Sequence, residues 1–487
     1  MMKHPSLTAI GALALLVGLA AMPRAASSQT ITPIEAPTPV PTPLVATTPL
    51  PYPAYGTPAP DIARQEPKAN VPASVTLAQA VAIAVMGSPT FASERAQYRA
   101  IAAKYSSEKE AILPNISGSA SVSRSFGGTR ITQSGNGSST TPGGNFTTIG
   151  GQLQLQQLIF DGGRVIAAIR TAKESDIAGR DTLVRELQTL EYTIAQNYYG
   201  VLQSSATVNA DASLVRQFET QERAVRQQIR LGAAARSDLA AAQFQTAQAR
   251  GALITAQGAA IGAQATFATS LGLSADALVN PHPLASSPGP KVLGYQQALS
   301  EAFALRPDFL SAQHTVSSAE QNVRYAKLGR FPSLSASAST GYSESLPTAT
   351  PRLVADQSLG ATLTLPIFDQ GLTNYNVAVA QSQLDQADAG LLGTRLTVES
   401  DVRGALANLI SARASLLQAQ AELQSATVNQ QATQAKYKVG AATITDIVTA
   451  EANLATAQRD DISGVYNERI AEERYIYAMG IGDLSLP

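Results

Sequence analysis

Tyr437-Lys438-Val439-Gly440-Ala441-Ala442-Thr443-Ile444-Thr445-Asp446-Ile447 interrupts two long Ala/Gln-rich helical stretches, and the fold turns on how it is read. Gly440 has no Cβ to clash in the left-handed conformation that ends a helix. Six residues on, Asp446 stands near the start of the next periodic run, where a carboxylate suits the helix dipole. The pattern occurs earlier as Arg230-Leu231-Gly232-Ala233-Ala234-Ala235-Arg236-Ser237-Asp238-Leu239. Because 440 − 232 and 446 − 238 are both 208, the chain carries one hairpin twice.

Each turn closes a long helix. No proline falls between Arg164 and Arg230, so one helix of 67 residues is permitted, roughly 100 Å at 1.5 Å per residue. Leu187, Ile194, Val201, Val208 and Val215 repeat every seven residues, the coiled-coil spacing. Its counterpart spans Leu372 to Lys438, with Leu391, Val398, Ala405, Ala412, Ala419 and Ala426 in one row and Val402, Leu409, Leu416 and Leu423 in another. Gly390, Gly393 and Gly404 each cost about 1 kcal/mol against Ala, which packing offsets. Shorter helices return from the turns, the first over Asp238 to Leu271.

Upstream of each long helix the period changes to two. Ile116, Gly118, Ala120, Val122 and Phe126 alternate with serines, which predicts a strand over about 115–126. Leu153, Leu155 and Ile159 alternate with glutamines, a second strand over about 150–160. The Gly/Ser/Thr/Asn stretch from Gly127 to Phe146 reads as a long flexible loop. Strands over about 333–344 and 357–368 repeat the pattern. Phe160-Asp161-Gly162-Gly163 and Phe368-Asp369-Gln370-Gly371 are strand-to-helix corners, in which Asp161 can cap the incoming helix. Before the strands come helices over Val75–Met86 and Thr90–Ile112, mirrored by Tyr295–Leu305 and Asp308–Leu328. Upstream of the strands 307 − 89 and 332 − 114 are both 218; downstream 368 − 160 and 480 − 272 are both 208. The difference falls between Pro114 and Phe160, so the loop varies while helix length is kept.

The organisation is therefore a first repeat over 74–280, with its turn at about 231–238, a Pro/Ser linker over 281–292, and a second repeat over 293–487, with its turn at about 439–446. Residues 1–28 read as a secretory signal peptide: Lys3 and His4 are basic, Ile10 to Met22 is apolar, and Ala25-Ala26-Ser27 suits cleavage. Residues 29–73 read as an extended or disordered arm, since Pro33 to Pro72 holds twelve of the 27 prolines. With 44% hydrophobic and 15% charged residues, a net charge of −1 and no basic patch, nucleic acid is not an expected partner. Few aromatics (5%) and no Trp argue against a large conventional core. Zero Cys excludes thiolate catalysis, cysteine metal sites and a lipid anchor on an N-terminal Cys. No metal or cofactor is expected, because His282 and His314 lack ligand spacing, and no catalytic residue is found. Asp460-Asp461 and Glu472-Glu473 read as solvated helix faces.

Four amphipathic strands cannot close a membrane barrel, and an open edge cannot sit in lipid. Three copies of four strands make twelve, an even number within the range of outer-membrane barrels. Hydroxyl faces would then line a wet lumen, and helices of about 100 Å would project into the periplasm.

The duplicated helix–strand–strand–helix plan, the Ile-Phe-Asp-x-Gly corners and the paired Gly-x5-Asp turns resemble the TolC-like outer-membrane factors of tripartite efflux pumps and type I secretion systems. The resemblance covers about Val75 to Leu484. It implies a mostly α protein: a homotrimer with a 12-stranded barrel in outer-membrane lipid and a periplasmic α-helical coiled-coil barrel. It also implies two partners, a periplasmic adaptor and an inner-membrane transporter. Carried over, Asp446 and Thr449 stand at the periplasmic aperture, and Tyr437 and Asp238 make a hydrogen bond that holds the tip shut. Leu231, Gly232, Val439 and Gly440 form the turns that dock the adaptor. Thr449 and Ala442 depart from relatives that carry a second ring acid and an arginine latch there. Efflux of small toxic molecules is the expected function, with protein secretion as the alternative. A trimeric coiled-coil adhesin or spacer would explain heptads and export but not the strands or the doubled tip.

Overall fold

The computed structural model describes residues 74–482 apart from 128, 135–136, 143–144, 233, 284–291 and 347–353. The expected signal peptide, the proline arm and most of the linker lie outside the described residues.

A two-residue strand β1 (Ser74–Val75) leads into α1 (Leu77–Gly87), which opens with a reciprocal cap. The Gln79 amide donates to the Thr76 hydroxyl, and the Thr76 amide to the Gln79 side chain. Ser88 caps α2 (Pro89–Glu110), whose first residue is a proline that has no amide to leave unpaired. Strands β2 (Asn115–Ser125), β3 (Thr129–Ser134), β4 (Gly137–Pro142) and β5 (Phe146–Phe160) follow, then α3 (Arg164–Arg230) and α4 (Arg236–Ser270). Strand β6 (Asn280–Pro281) pairs in parallel with β1. The second half holds α5 (Tyr295–Leu305), α6 (Pro307–Lys327), a 3₁₀ turn (Leu328–Arg330), β7 (Ser333–Leu346), β8 (Val354–Thr364), α7 (Leu372–Lys438) and α8 (Ile444–Met479). Both long helices have 67 residues.

Three strand expectations are corrected. The stretch 127–146 is not all loop: β3 and β4 form a hairpin in register Ser134↔Gly137. Its threonines and Ile131 favour extended backbone, a signal that the Gly/Ser composition conceals. Strand β5 begins at Phe146, not near 150, and runs 15 residues. Strand β8 spans Val354–Thr364 rather than 357–368, because Pro366 has no amide to give a ladder.

The main sheet is antiparallel in the order β2-β5-β7-β8. Its register stacks Ile116, Leu155, Ala338 and Leu359 in one rung and Ser117, Gln154, Ser339 and Ser358 in the next. The sheet thus has one apolar and one hydroxyl–amide face, and the apolar face is uncovered: Leu359 is 87% exposed, Val122 72% and Ile116 69%. Both edges, β2 and β8, are 11 residues long. No helix among the described residues is long and apolar enough to cross a membrane.

The repeat extends to the packing. Ala80 and Ala84 of α1 lie against Ile194 and Val201 of α3 and Phe267 and Leu271 of α4. At the matching positions Ala298 and Ala302 of α5 lie against Val402, Leu409, Tyr475 and Met479. Small residues on the short helix let two long ones approach it, and the larger side chains fill the space between them.

At each corner one aspartate organises the helix start. Asp161 accepts from the amides of Gly163 (3.0 Å) and Val165 (2.6 Å), and Asp369 from those of Gly371 (3.0 Å) and Thr373 (2.9 Å). The residue after each aspartate has positive φ, Gly162 at 71° and Gln370 at 55°. A Cβ on Gly162 would stand 2.5 Å from the Cβ of Phe331. Gly162→Ala should therefore cost about 1–3 kcal/mol, while Gln370→Gly, which removes strain, should stabilise by about 0.5–1 kcal/mol. Thermal melts of the two variants should move in opposite directions.

Candidate functional site: the helical tip and its seam

The tip is built from two helix ends and two helix starts. Gly440 takes φ 74°, its amide donates to Tyr437 O at 3.0 Å, and the Ala441 amide to Lys436 O at 2.8 Å. That pairing satisfies two terminal carbonyls and turns the chain sharply. Gly232 (φ 73°) donates likewise to Ile229 O at 3.0 Å. The turns leave Leu231 84% and Val439 79% exposed.

The next helices start differently. In α8 the Asp446 amide donates to the Thr443 hydroxyl, and the Asp446 carboxylate accepts from the Thr443 amide and hydroxyl, both at 2.8 Å. Those donors, the amide first, hold the Asp446 carboxyl below its ordinary range. In α4, Ala235 has no side-chain acceptor to offer, so Asp238 supplies half a cap, accepting from the Ala235 amide at 3.1 Å. Asp446 and Thr449 both sit on an exposed face one turn apart. The Thr449 hydroxyl turns back to Thr445 O at 2.9 Å.

The expected Tyr437–Asp238 hydrogen bond is not formed. Tyr437 donates to Gln228 Oε1 at 3.2 Å, while the Asp238 carboxylate caps the Ala235 amide. Burial, then the nearby charge of Asp238, pushes the Tyr437 phenol up. Its ring packs against a cluster of Val225, Ala242 and Ile444.

Behind the tip, polar rungs tie α3 to α8. Gln217 donates to Glu451 at 3.2 Å, Arg459 to Asp211 at 2.7 Å, and Gln203 to Ser463 at 3.3 Å. Tyr199 donates to Glu473 at 3.4 Å. Glu472, expected on a solvated face, is instead buried and accepts from Arg413 and Arg469, each at 2.8 Å. Farther along the helices Arg306, 1% exposed, donates to Asp308 (3.0 and 2.5 Å), Asp401 (3.1 Å) and Ala478 O (3.3 Å). Arg185 lies 3.7 Å from Asp308 and stacks on Tyr477 at 3.8 Å. Sequence reading missed these groups, although a comparison of the halves carries the signal. Ser88, Thr90 and Thr193 of the first half become Arg306, Asp308 and Asp401, a cation and two anions together.

The duplicated architecture matches a known family: the model of the outer membrane efflux protein family covers residues 82–273 and 298–480, one segment per repeat. The chain belongs to that family. This efflux protein is a TolC-like outer-membrane factor, and its family is one of channels rather than enzymes. It is 24% identical over 408 residues to the outer membrane efflux protein BepC of Brucella suis biovar 1 (strain 1330), covering 84% of this chain and 86% of that one. It is 28% identical over 193 residues to the outer membrane protein TolC of Escherichia coli (strain K12), 37% of this chain and 39% of that one. In fold it is similar to the outer membrane protein VceC of Vibrio cholerae, with a TM-score of 0.69 at 19% identity over 83% of this chain and 96% of that one.

Proposed function

We propose that three copies of this efflux protein close a 12-stranded barrel in the outer membrane and continue it as a periplasmic helical tube. Substrates handed over by an adaptor and an inner-membrane pump would leave through it. One observation carries this reading: a sheet with an exposed apolar face and two open edges of 11 residues each. An edge in lipid leaves amides and carbonyls unpaired at several kcal/mol each. Because the four strands alternate in direction, β8 of one copy meets β2 of the next antiparallel, and the ring closes. Eleven residues tilted by 35–45° cross an outer-membrane apolar band of about 25 Å. The aqueous lumen then falls to the Ser/Thr/Gln face. The family and BepC are described as efflux proteins, which favours small toxic molecules over secreted proteins as the cargo.

At the tip, exposed Leu231 and Val439, set out by Gly232 and Gly440, give the adaptor an apolar foothold. Asp446 and Thr449 of three chains border the aperture. Thr443 keeps Asp446 ionised, so the ring attracts cations and resists anions. Tyr437, through Gln228, ties α7 to α3, while Asp238 fixes the start of α4.

Purified protein in planar bilayers should give discrete conductance steps, and their absence would defeat the channel reading. Asp446→Ala should weaken divalent-cation block, and Tyr437→Phe with Asp238→Ala should raise conductance about twofold or more as the tip loosens. Unchanged conductance and block in both would remove the tip assignments and leave the channel standing.

A further inference from the structure

We propose that Glu451 is a proton-binding site that sets how tightly α8 closes against α3 beside the tip. The proposal deepens the reading of the tip as a gate and rests on it. Glu451 is 2% exposed, flanked on α8 by buried Ile447, Ala450 and Ala455. Its Oε1 accepts from Gln217 Nε2 at 3.2 Å. Its Oε2 is buried with no hydrogen-bond partner among the described residues.

The neighbouring acids of α3 differ in that each already has a cation. On α3, Asp211 is held by Arg459 at 2.7 Å, Glu219 by Arg250 and Glu222 by Arg226, both at 2.6 Å. Arg216 and Arg223 turn along their own helix to Ser213 (2.7 Å) and Thr220 (3.1 Å). On α4 no charged residue lies between Asp238 and Arg250, and on α7 none lies between Glu422 and Lys436. On α8 the charged residues on either side are Asp446, bonded to Thr443, and Arg459. Among the described residues no cation is left for Glu451, and a buried carboxylate without one is strongly disfavoured, so the group takes a proton instead.

Burial pushes the Glu451 carboxyl up, and the Gln217 bond offsets this only in part. With the pKa raised by packing, the closed seam binds the proton more tightly than an opened, hydrated one. Its contribution to closure is full below the ordinary glutamate value and is lost as pH rises through the raised value. Above that, the ionised group is relieved only when α8 shifts and admits water. Asp446, held low by Thr443, titrates on the other side of the ordinary range, so the two groups separate along the pH axis.

The test uses full-length protein in planar bilayers across pH, with infrared spectra of the same preparations. Wild-type open probability should rise at least about threefold over one pH unit above the ordinary glutamate range, since each chain's single proton allows up to about tenfold per pH unit and three chains acting together allow more. Glu451→Gln, of the same shape and permanently neutral, should stay at the closed, low-pH level throughout. Gln217→Leu removes the bond that favours ionisation and should move the rise to higher pH. Burial also pushes the Asp181 carboxyl up, so the readout is the difference spectrum: a protonated-carboxyl C=O component present in wild type above the ordinary range should be missing from Glu451→Gln. Identical pH profiles for wild type and Glu451→Gln, or a difference spectrum with no carboxyl component, would overturn the proposal. A protein with no conductance at any pH would defeat the channel reading, while the infrared band would still decide the proton site.

Discussion

Asp308→Ala should destabilise the protein by about 3–5 kcal/mol, the cost of breaking a buried ion pair by removing one partner. Asp308 lies between two guanidinium groups, bonded to Arg306 and 3.7 Å from Arg185. Burial and the Arg306 charge already push Arg185 down. Without Asp308 the two cations face one another, and partly exposed Asp401 is the one carboxylate left bonded to Arg306. The control is built into the repeat: Thr90, at the matching position of the first half, is exposed, and Thr90→Ala should stay within about 0.5 kcal/mol. Burial opposes ionisation of Asp308, but Arg306 and Arg185 outweigh it and hold the carboxyl below its ordinary range. The resulting stability is present above the ordinary aspartate value and lost as pH falls through the lower folded value. Thermal melts should therefore show acid destabilisation in wild type that flattens in Asp308→Ala. Equal melting temperatures for Asp308→Ala and Thr90→Ala would show that the cluster contributes nothing.

That cluster also shows where sequence reading stops. The long helices were legible to the residue, because Gly163, Gly371 and the absence of proline up to Arg230 and Lys438 set their ends without tertiary help. The sheet faces were legible too, since apolar and hydroxyl side chains alternate with period two along each strand. The β3–β4 hairpin was not, because threonine and serine there have no apolar partner rows to set a period. At the tip, glycine chemistry gave the turns, but the partner of Tyr437 depended on competition. Asp238 is drawn to the Ala235 amide at the start of α4, and the phenol bonds to Gln228 instead. Glu472 read as surface, and Arg306 went unremarked, because burial of an ion depends on partners far away in sequence: Arg413 lies 59 residues from Glu472 and Asp401 lies 95 from Arg306. Helical periodicity reports on one helix at a time, and those partners lie on others.

Leu359→Arg tests the membrane assignment most severely. Leu359 stands midway along β8, 87% exposed, in the rung with Ala338, Leu155 and Ile116. If that face meets lipid, an arginine near the bilayer midplane costs about 2–4 kcal/mol per chain, and three copies add to roughly 6–12 kcal/mol per trimer. Such a sum is of the same order as the whole stability of a typical domain, so little inserted trimer should form when membranes are fractionated. Ser358 is the neighbouring residue, on the opposite face, with its hydroxyl 2.8 Å from that of Ser339. Ser358→Arg places the same charge in water, so the trimer should assemble, and cation preference in bilayer recordings should fall. The pair controls for charge, size and position along the strand, leaving the face as the one difference. Equal insertion of both variants would mean that the apolar face is covered by something other than lipid, and the barrel would have to be given up. Failure of Ser358→Arg with survival of Leu359→Arg would instead place lipid against the hydroxyls. That arrangement conflicts with the register that stacks Ile116, Leu155, Ala338 and Leu359 together, because lipid contact supplies nothing to a serine that its own strand partner does not already give.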